Sequence, residues 1–143
     1  MASRFLHNPF FILSFFILLI ATNLAASGDI KWYTYEEGMA LGKEENKKVF
    51  LYFWTEWCPN CKKMEKRTFQ DASVIAYLNK NFISIRSNYD KQKDIAAMYR
   101  VRGVPDNWFI AENSKAIMNQ PGYLTAKRFL PLLKYIHTDN YKK

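Results

Sequence analysis

Cys58 and Cys61 are the only cysteines in this 143-residue chain, and they lie three positions apart in Trp57-Cys58-Pro59-Asn60-Cys61. An apolar run, Val49-Phe50-Leu51-Tyr52-Phe53-Trp54, comes just before them. Its composition predicts a strand covered on both faces. Pro59 suits the first position of a following helix, where its missing N–H costs nothing. Two thiols so placed form a reversible dithiol/disulfide couple. The first lies at a helix N-terminus, where unpaired N–H groups and the helix dipole favour a thiolate. The thiolate is the attacking species in disulfide exchange. Lys62, Lys63 and Lys66 follow closely, and cations near Cys58 act in the same direction.

Other uses of two cysteines fit less well. A disulfide closing so short a loop removes little entropy from the unfolded chain, so it is a poor staple. Zinc needs four ligands, and beyond the N-terminal segment the chain offers only Cys58, Cys61 and the distant His137. No metal is expected. Covalent haem attachment needs a histidine after the second cysteine, and Lys62 stands there. The formal net charge is +8, but the lysines and arginines are spread in pairs and singles, with no block long enough for a nucleic-acid arm.

Residues 1–27 read as a signal peptide: Arg4 near the start, an apolar core from Pro9 to Ala21, and Ala25-Ala26-Ser27 for cleavage. The apolar stretch is shorter than the roughly 20 residues a spanning helix needs, so no stable membrane span is expected after cleavage. Residues 28–143 are then one domain located outside the cytoplasm, in a bacterial periplasm.

Within that domain the patterns alternate. Ile30 to Tyr33 predicts a short strand. Thr34 with Glu37 makes a capping box for a helix to about Asn46, with Met39, Ala40 and Leu41 expected toward the core. After the cysteine helix, Asp71 caps Ala72 to Leu78, and Phe82 to Arg86 alternates as a strand. Asp90 to Arg100 predicts a helix burying Ile95, Ala96, Met98 and Tyr99. Asn107 to Ala111 and Ala116 to Met118 predict a hairpin, and Thr125 to Ile136 an amphipathic helix blemished by Pro131.

This order, together with Phe53 to Met64, Tyr99 to Pro105 and Gln120-Pro121-Gly122-Tyr123, resembles the thioredoxin superfamily over about Ile30 to His137. The likeness is greatest to small exported bacterial thioredoxin-like proteins with a Cys-Pro-x-Cys site. The resemblance implies an α/β thioredoxin fold: a central mixed sheet of four to five strands flanked by helices on both faces. It implies a cis Val104–Pro105 bond packed against the cysteines. Trp57, Val104 and Pro105 would bind substrate, the backbone of Val104 pairing with an extended chain. Pro59, Asn60 and Glu56 would modulate the site. Thioredoxins carry a buried aspartate six residues before the first cysteine, and Tyr52 occupies that position. Glu56 is then either a proton relay or a solvated loop acid. Asp106, where thioredoxins often have threonine, would repel acidic partners and raise the Cys58 pKa.

The expected activity is thiol–disulfide exchange without a cofactor: Cys58 forms a mixed disulfide with a protein substrate and Cys61 resolves it, leaving a Cys58–Cys61 disulfide. The absence of histidine from Pro59-Asn60 favours a reductase over an oxidase. A reductase there needs electrons through the membrane, which the family usually obtains from a DsbD-type transporter. Protein thiols or disulfides are the expected partners of a monomer. Two alternatives stay open: a peptide-binding or chaperone-like module using Trp57, Trp108 and the proline groove, and a metal carrier using the two cysteines.

Overall fold

The structure, a computed structural model, describes residues 28–143; the expected signal peptide, residues 1–27, lies outside the described residues. β2 (Lys48–Trp54) is the middle strand of a five-stranded sheet. Its neighbours are β3 (Phe82–Asn88), parallel to it, and β4 (Asp106–Ile110), antiparallel. β1 (Trp32–Tyr33) pairs with β3, and β5 (Ala116–Pro121) with β4, giving the order β1-β3-β2-β4-β5. The sheet is therefore mixed, with helices on both faces, as expected.

Strand periodicity divides β2 between two cores. Val49, Leu51 and Phe53 join Ile83, Ile85, Ile95, Val101 and Ile110 on the face covered by α1 (Tyr35–Glu44) and α4 (Lys93–Met98). Phe50 and Tyr52 face α2 (Pro59–Arg67), α3 (Ala72–Asn81) and α5 (Ala126–His137), packing with Cys61, Met64, Leu78, Phe129 and Leu133. Aromatic edges fill that second core; Tyr52 and Phe69 meet at 4.9 Å between ring centres, at 87°.

Several helical expectations need correction. Thr34 does close its capping box with Glu37, but the buried face of α1 is Gly38 and Gly42, while Ala40 is exposed. A Cβ on Gly38 would collide with Ile85, and one on Gly42 with Val49, so these glycines let α1 lie close on the sheet. α3 continues through Asn79-Lys80-Asn81 instead of breaking there. α4 is only six residues long, and Met98, expected inside, is 67% exposed. Tyr99, just past the helix end, does pack against the sheet, 5.8 Å from Phe53 between ring centres. Pro131 sits inside α5 on an exposed position; proline there takes one N–H from the ladder without any side chain being forced into the core. No helix among the described residues is long and apolar enough to cross a membrane.

Candidate functional site

Two chain ends of the sheet meet where the cysteines lie. β2 stops at Trp54, and Thr55-Glu56-Trp57 carries the chain to Cys58, the N-cap of α2. Register pairs Phe53 with Asp106, so the segment before β4 arrives beside the end of β2. That segment holds Val104–Pro105, whose peptide bond is cis. The Gly122 N–H donates to the Pro105 carbonyl at 2.8 Å, drawing the end of β5 to the same corner. Tertiary pairing therefore brings together Trp57, Cys58, Asn60, Val104 and Pro105, which the sequence places up to 48 positions apart.

Cys58 and Cys61 are joined in a disulfide, with Cα atoms 5.2 Å apart. Cys58 has extended backbone (φ −77°, ψ 108°), and Pro59 takes the first helical position. The Cys61 N–H donates to Cys58 Sγ at 3.0 Å, so one of the unpaired donors at the helix start is aimed at the leading sulfur. Cys58 retains 2% of its surface and Cys61 none. An attacking group therefore reaches the pair from the Cys58 side.

Trp57 projects from the rim, 65% exposed, and its Nε1–H donates to Asp90 Oδ2 at 2.8 Å. Pro59 and Asn60 are exposed beside it. Asn60, Val104 and Pro105 line a groove of about 550 Å³ together with Arg100, Arg102, Trp108 and Asn119. No other backbone group among the described residues takes up the N–H or C=O of Val104, which leaves that peptide edge open to an incoming strand.

Glu56 points to Lys91 (2.9 Å) and accepts from Asn88 Nδ2 (3.3 Å). The hydrogen bond from Lys91 holds its carboxyl below the usual carboxylate range. It is a solvated, ionised loop acid, the form least suited to holding a proton for transfer. Tyr52 is fully buried, and its hydroxyl has no hydrogen-bond partner. Burial pushes the phenol well up, with the negative charge of Glu65 adding to the effect and Arg86 opposing it. Arg86 itself donates to Glu65 at 2.7 Å and stacks over Trp54 at 3.7 Å. Tyr52 thus remains a neutral phenol where thioredoxins carry an acid.

Asp106 corrects a further expectation. It does not face substrate as a free carboxylate: it is 3% exposed, accepting from Trp108 Nε1 (2.9 Å) and Asn119 Nδ2 (3.1 Å). Burial pushes its pKa up, against the hydrogen bonds from Asn119 and Trp108. Asn119 was invisible to sequence reasoning, because it reaches Asp106 only through the pairing of Trp108 with Asn119 across β4 and β5. Arg100 and Arg102 were legible only as surface charge, although their closeness to Val104-Pro105 was a usable signal.

A thioredoxin-like domain family matches residues 35–137. The thiol:disulfide interchange protein DsbD of Photorhabdus laumondii is 30% identical over 110 residues, covering 73% of this chain but only 19% of DsbD. A thioredoxin from Thermus thermophilus superposes with a TM-score of 0.70 at 26% identity, over 76% of this chain and 88% of its own. A DsbH oxidoreductase superposes at 0.69 and 20% identity, over 84% and 92%, which is a likeness of fold.

Proposed function

The chain belongs to the thioredoxin-like family of disulfide oxidoreductases, and on that premise we propose that it is an exported protein-disulfide reductase with Cys58 as nucleophile and Cys61 as resolving thiol. The observation that carries this reading is the Cys61 N–H aimed at Cys58 Sγ at the start of α2, beside the open edge of Val104. After reduction the same donor remains in place to stabilise a Cys58 thiolate.

In the reducing direction, the Cys58 thiolate attacks one sulfur of a substrate disulfide. The substrate S–S bond breaks, and the departing thiolate takes up a proton from water. The Cys61 thiol gives up its proton and attacks Cys58 Sγ, expelling the second substrate thiolate, which is protonated in turn. Two electrons and two protons pass to the substrate, and the Cys58–Cys61 bond forms. Trp57 offers an apolar rim, and Val104 pairs with the substrate's extended backbone. Pro59 and Asn60, lacking histidine, support the reducing direction. A dithiol donor must restore the pair, and a membrane electron donor of DsbD type fits that need. Export rests on the reading of residues 1–27, and the reading needs no cofactor and no second subunit.

The test is insulin reduction with dithiothreitol as electron source, comparing wild type with Cys58→Ser. Loss of catalysed precipitation in the variant supports the reading. Equal turnover by both would move the function to peptide binding by Trp57 and the proline groove. A Cys61→Ser variant should trap a mixed disulfide on Cys58, and identifying the attached protein in the exporting cell names the substrate.

A further inference from the structure

Within the reductase reading above, on which this step rests, we infer that the groove beside Pro105 selects acidic polypeptide segments, with Arg100 and Arg102 setting the preference. Both arginines are exposed and line the groove, and neither is ion-paired among the described residues. The facing groups, Asn60, Trp108 and Asn119, are neutral. The groove's one carboxylate, Asp106, is buried and has its oxygens engaged by Trp108 and Asn119. Its burial also disfavours charge. The two guanidinium groups therefore outnumber that single buried carboxylate at the point where a substrate strand meets Val104.

The helix that carries the disulfide has the same sign. Lys62, Lys63 and Lys66 are exposed on α2 without a carboxylate partner among the described residues, and Lys63 lies over the Tyr123 ring at 4.6 Å. Of the nearby loop acids, Glu56 is paired with Lys91, whereas the partner of Asp90 is the uncharged indole of Trp57. Around the disulfide these five cations outnumber the carboxylates of Asp90 and Asp106. Such a field speeds encounter with negative partners and discriminates against positive ones.

The backbone at Arg100 points the same way. Val101 N–H returns to Ala96 O (2.9 Å) and Arg100 N–H to Ala97 O (3.0 Å), the helix-ending arrangement in which glycine normally takes the left-handed residue. Arg100 holds that conformation at φ 52°, which disfavours any residue with a Cβ. A long cationic side chain kept against local preference, at the lip of the groove, has a use outside the helix end.

Three synthetic peptides with one intramolecular disulfide test this, flanked by Asp/Glu, by Ser/Gln or by Lys/Arg. The reduced protein is mixed with each, and its oxidation is followed by acid quench and thiol alkylation. Each rate constant is divided by that of the same peptide with dithiothreitol, which removes intrinsic reactivity. At low salt the acidic peptide is expected to react about tenfold faster than the basic one, and 0.5 M salt should shrink the ratio severalfold. Arg102→Gln and Arg100→Gly should each lower the ratio. Arg100→Gly should also raise the denaturation midpoint, which separates lost charge from lost folding. Equal normalised rates, or a faster basic peptide, overturn this inference and leave the reductase reading intact. No exchange with any of the three overturns both.

Discussion

Reducing the Cys58–Cys61 bond perturbs stability in two opposed directions, and their balance separates a working couple from a structural staple. The bond spans a sequence separation of three. On the chain-entropy account, opening so short a loop releases roughly 2 kcal/mol of unfolded-state constraint. The reduced state recovers most of that. The disulfide already accepts the Cys61 N–H as a helix N-cap, but a Cys58 thiolate accepts it more strongly, by about 1 kcal/mol, and its charge at the start of α2 adds about 0.3–1 kcal/mol. Oxidised and reduced proteins should therefore differ in unfolding free energy by no more than about 1 kcal/mol at neutral pH. Because about 30 mV corresponds to 1.4 kcal/mol for this two-electron couple, the folded pair's potential should lie within about 20 mV of the urea-unfolded chain's. Urea titrations followed by tryptophan fluorescence, with and without dithiothreitol, measure the first quantity, and equilibration with glutathione measures the second. A reduced protein less stable by about 3 kcal/mol or more would refute the reasoning, because the bond would then be holding the fold together.

Tyr52→Phe removes a fully buried hydroxyl that has no hydrogen-bond partner while leaving the ring's contact with Phe69 in place. It should stabilise the protein by about 1 kcal/mol in urea titration. Insulin reduction should stay within about twofold of wild type, since a phenol pushed up by burial passes no proton at neutral pH; a tenfold loss would make Tyr52 a relay. Lys48 is 4% exposed and bound by Glu112 (2.7 Å) and Asp139 (3.2 Å). Glu112→Ala leaves a buried ammonium half-compensated and should cost about 1–3 kcal/mol, whereas Lys48→Met leaves Glu112 to water and Asp139 to Lys142 and should change stability by less than about 1 kcal/mol. The reverse order in urea midpoints would refute that asymmetry. Hydrogen bonds from Lys142 and Lys48 hold Asp139 at about 2, below its ordinary 3.8. Burial opposes it, but the bond from Lys48 also lowers Glu112 from its ordinary 4.5. Depressed carboxylates stabilise fully above their unfolded values and lose that contribution as pH falls through the folded ones. Wild-type stability should therefore fall between about pH 4.5 and 2, and Lys48→Met should flatten that slope in acid titration.

Several local signals are legible in the residues themselves. The apolar run of β2, the Thr34–Glu37 box, the Asp71 cap and Pro59 after Cys58 each depend on spacings within one or two turns or one strand. Hydrogen bonds and side-chain periodicity of that range are properties of the segment itself, so the order of elements, and with it the thioredoxin-like fold, could be stated from residues alone. The redox couple was equally legible, because three positions across a helix start already bring two sulfurs together. Only the packed sheet decided the rest. Gly38 and Gly42 look like weak helix formers until Ile85 and Val49 press against them. Asp106 looks like a groove acid until the β4–β5 register delivers Asn119 to its carboxylate. Arg100 and Arg102 are two basic residues among many until the end of α4 turns them over the space beside Asn60 and Pro105. Burial and partnership of a charge depend on atoms tens of residues away, and the energy of an ion in water differs greatly from its energy beside a protein wall. The identity of the reacting atoms is therefore a fact of sequence, and their electrostatic setting a fact of tertiary structure.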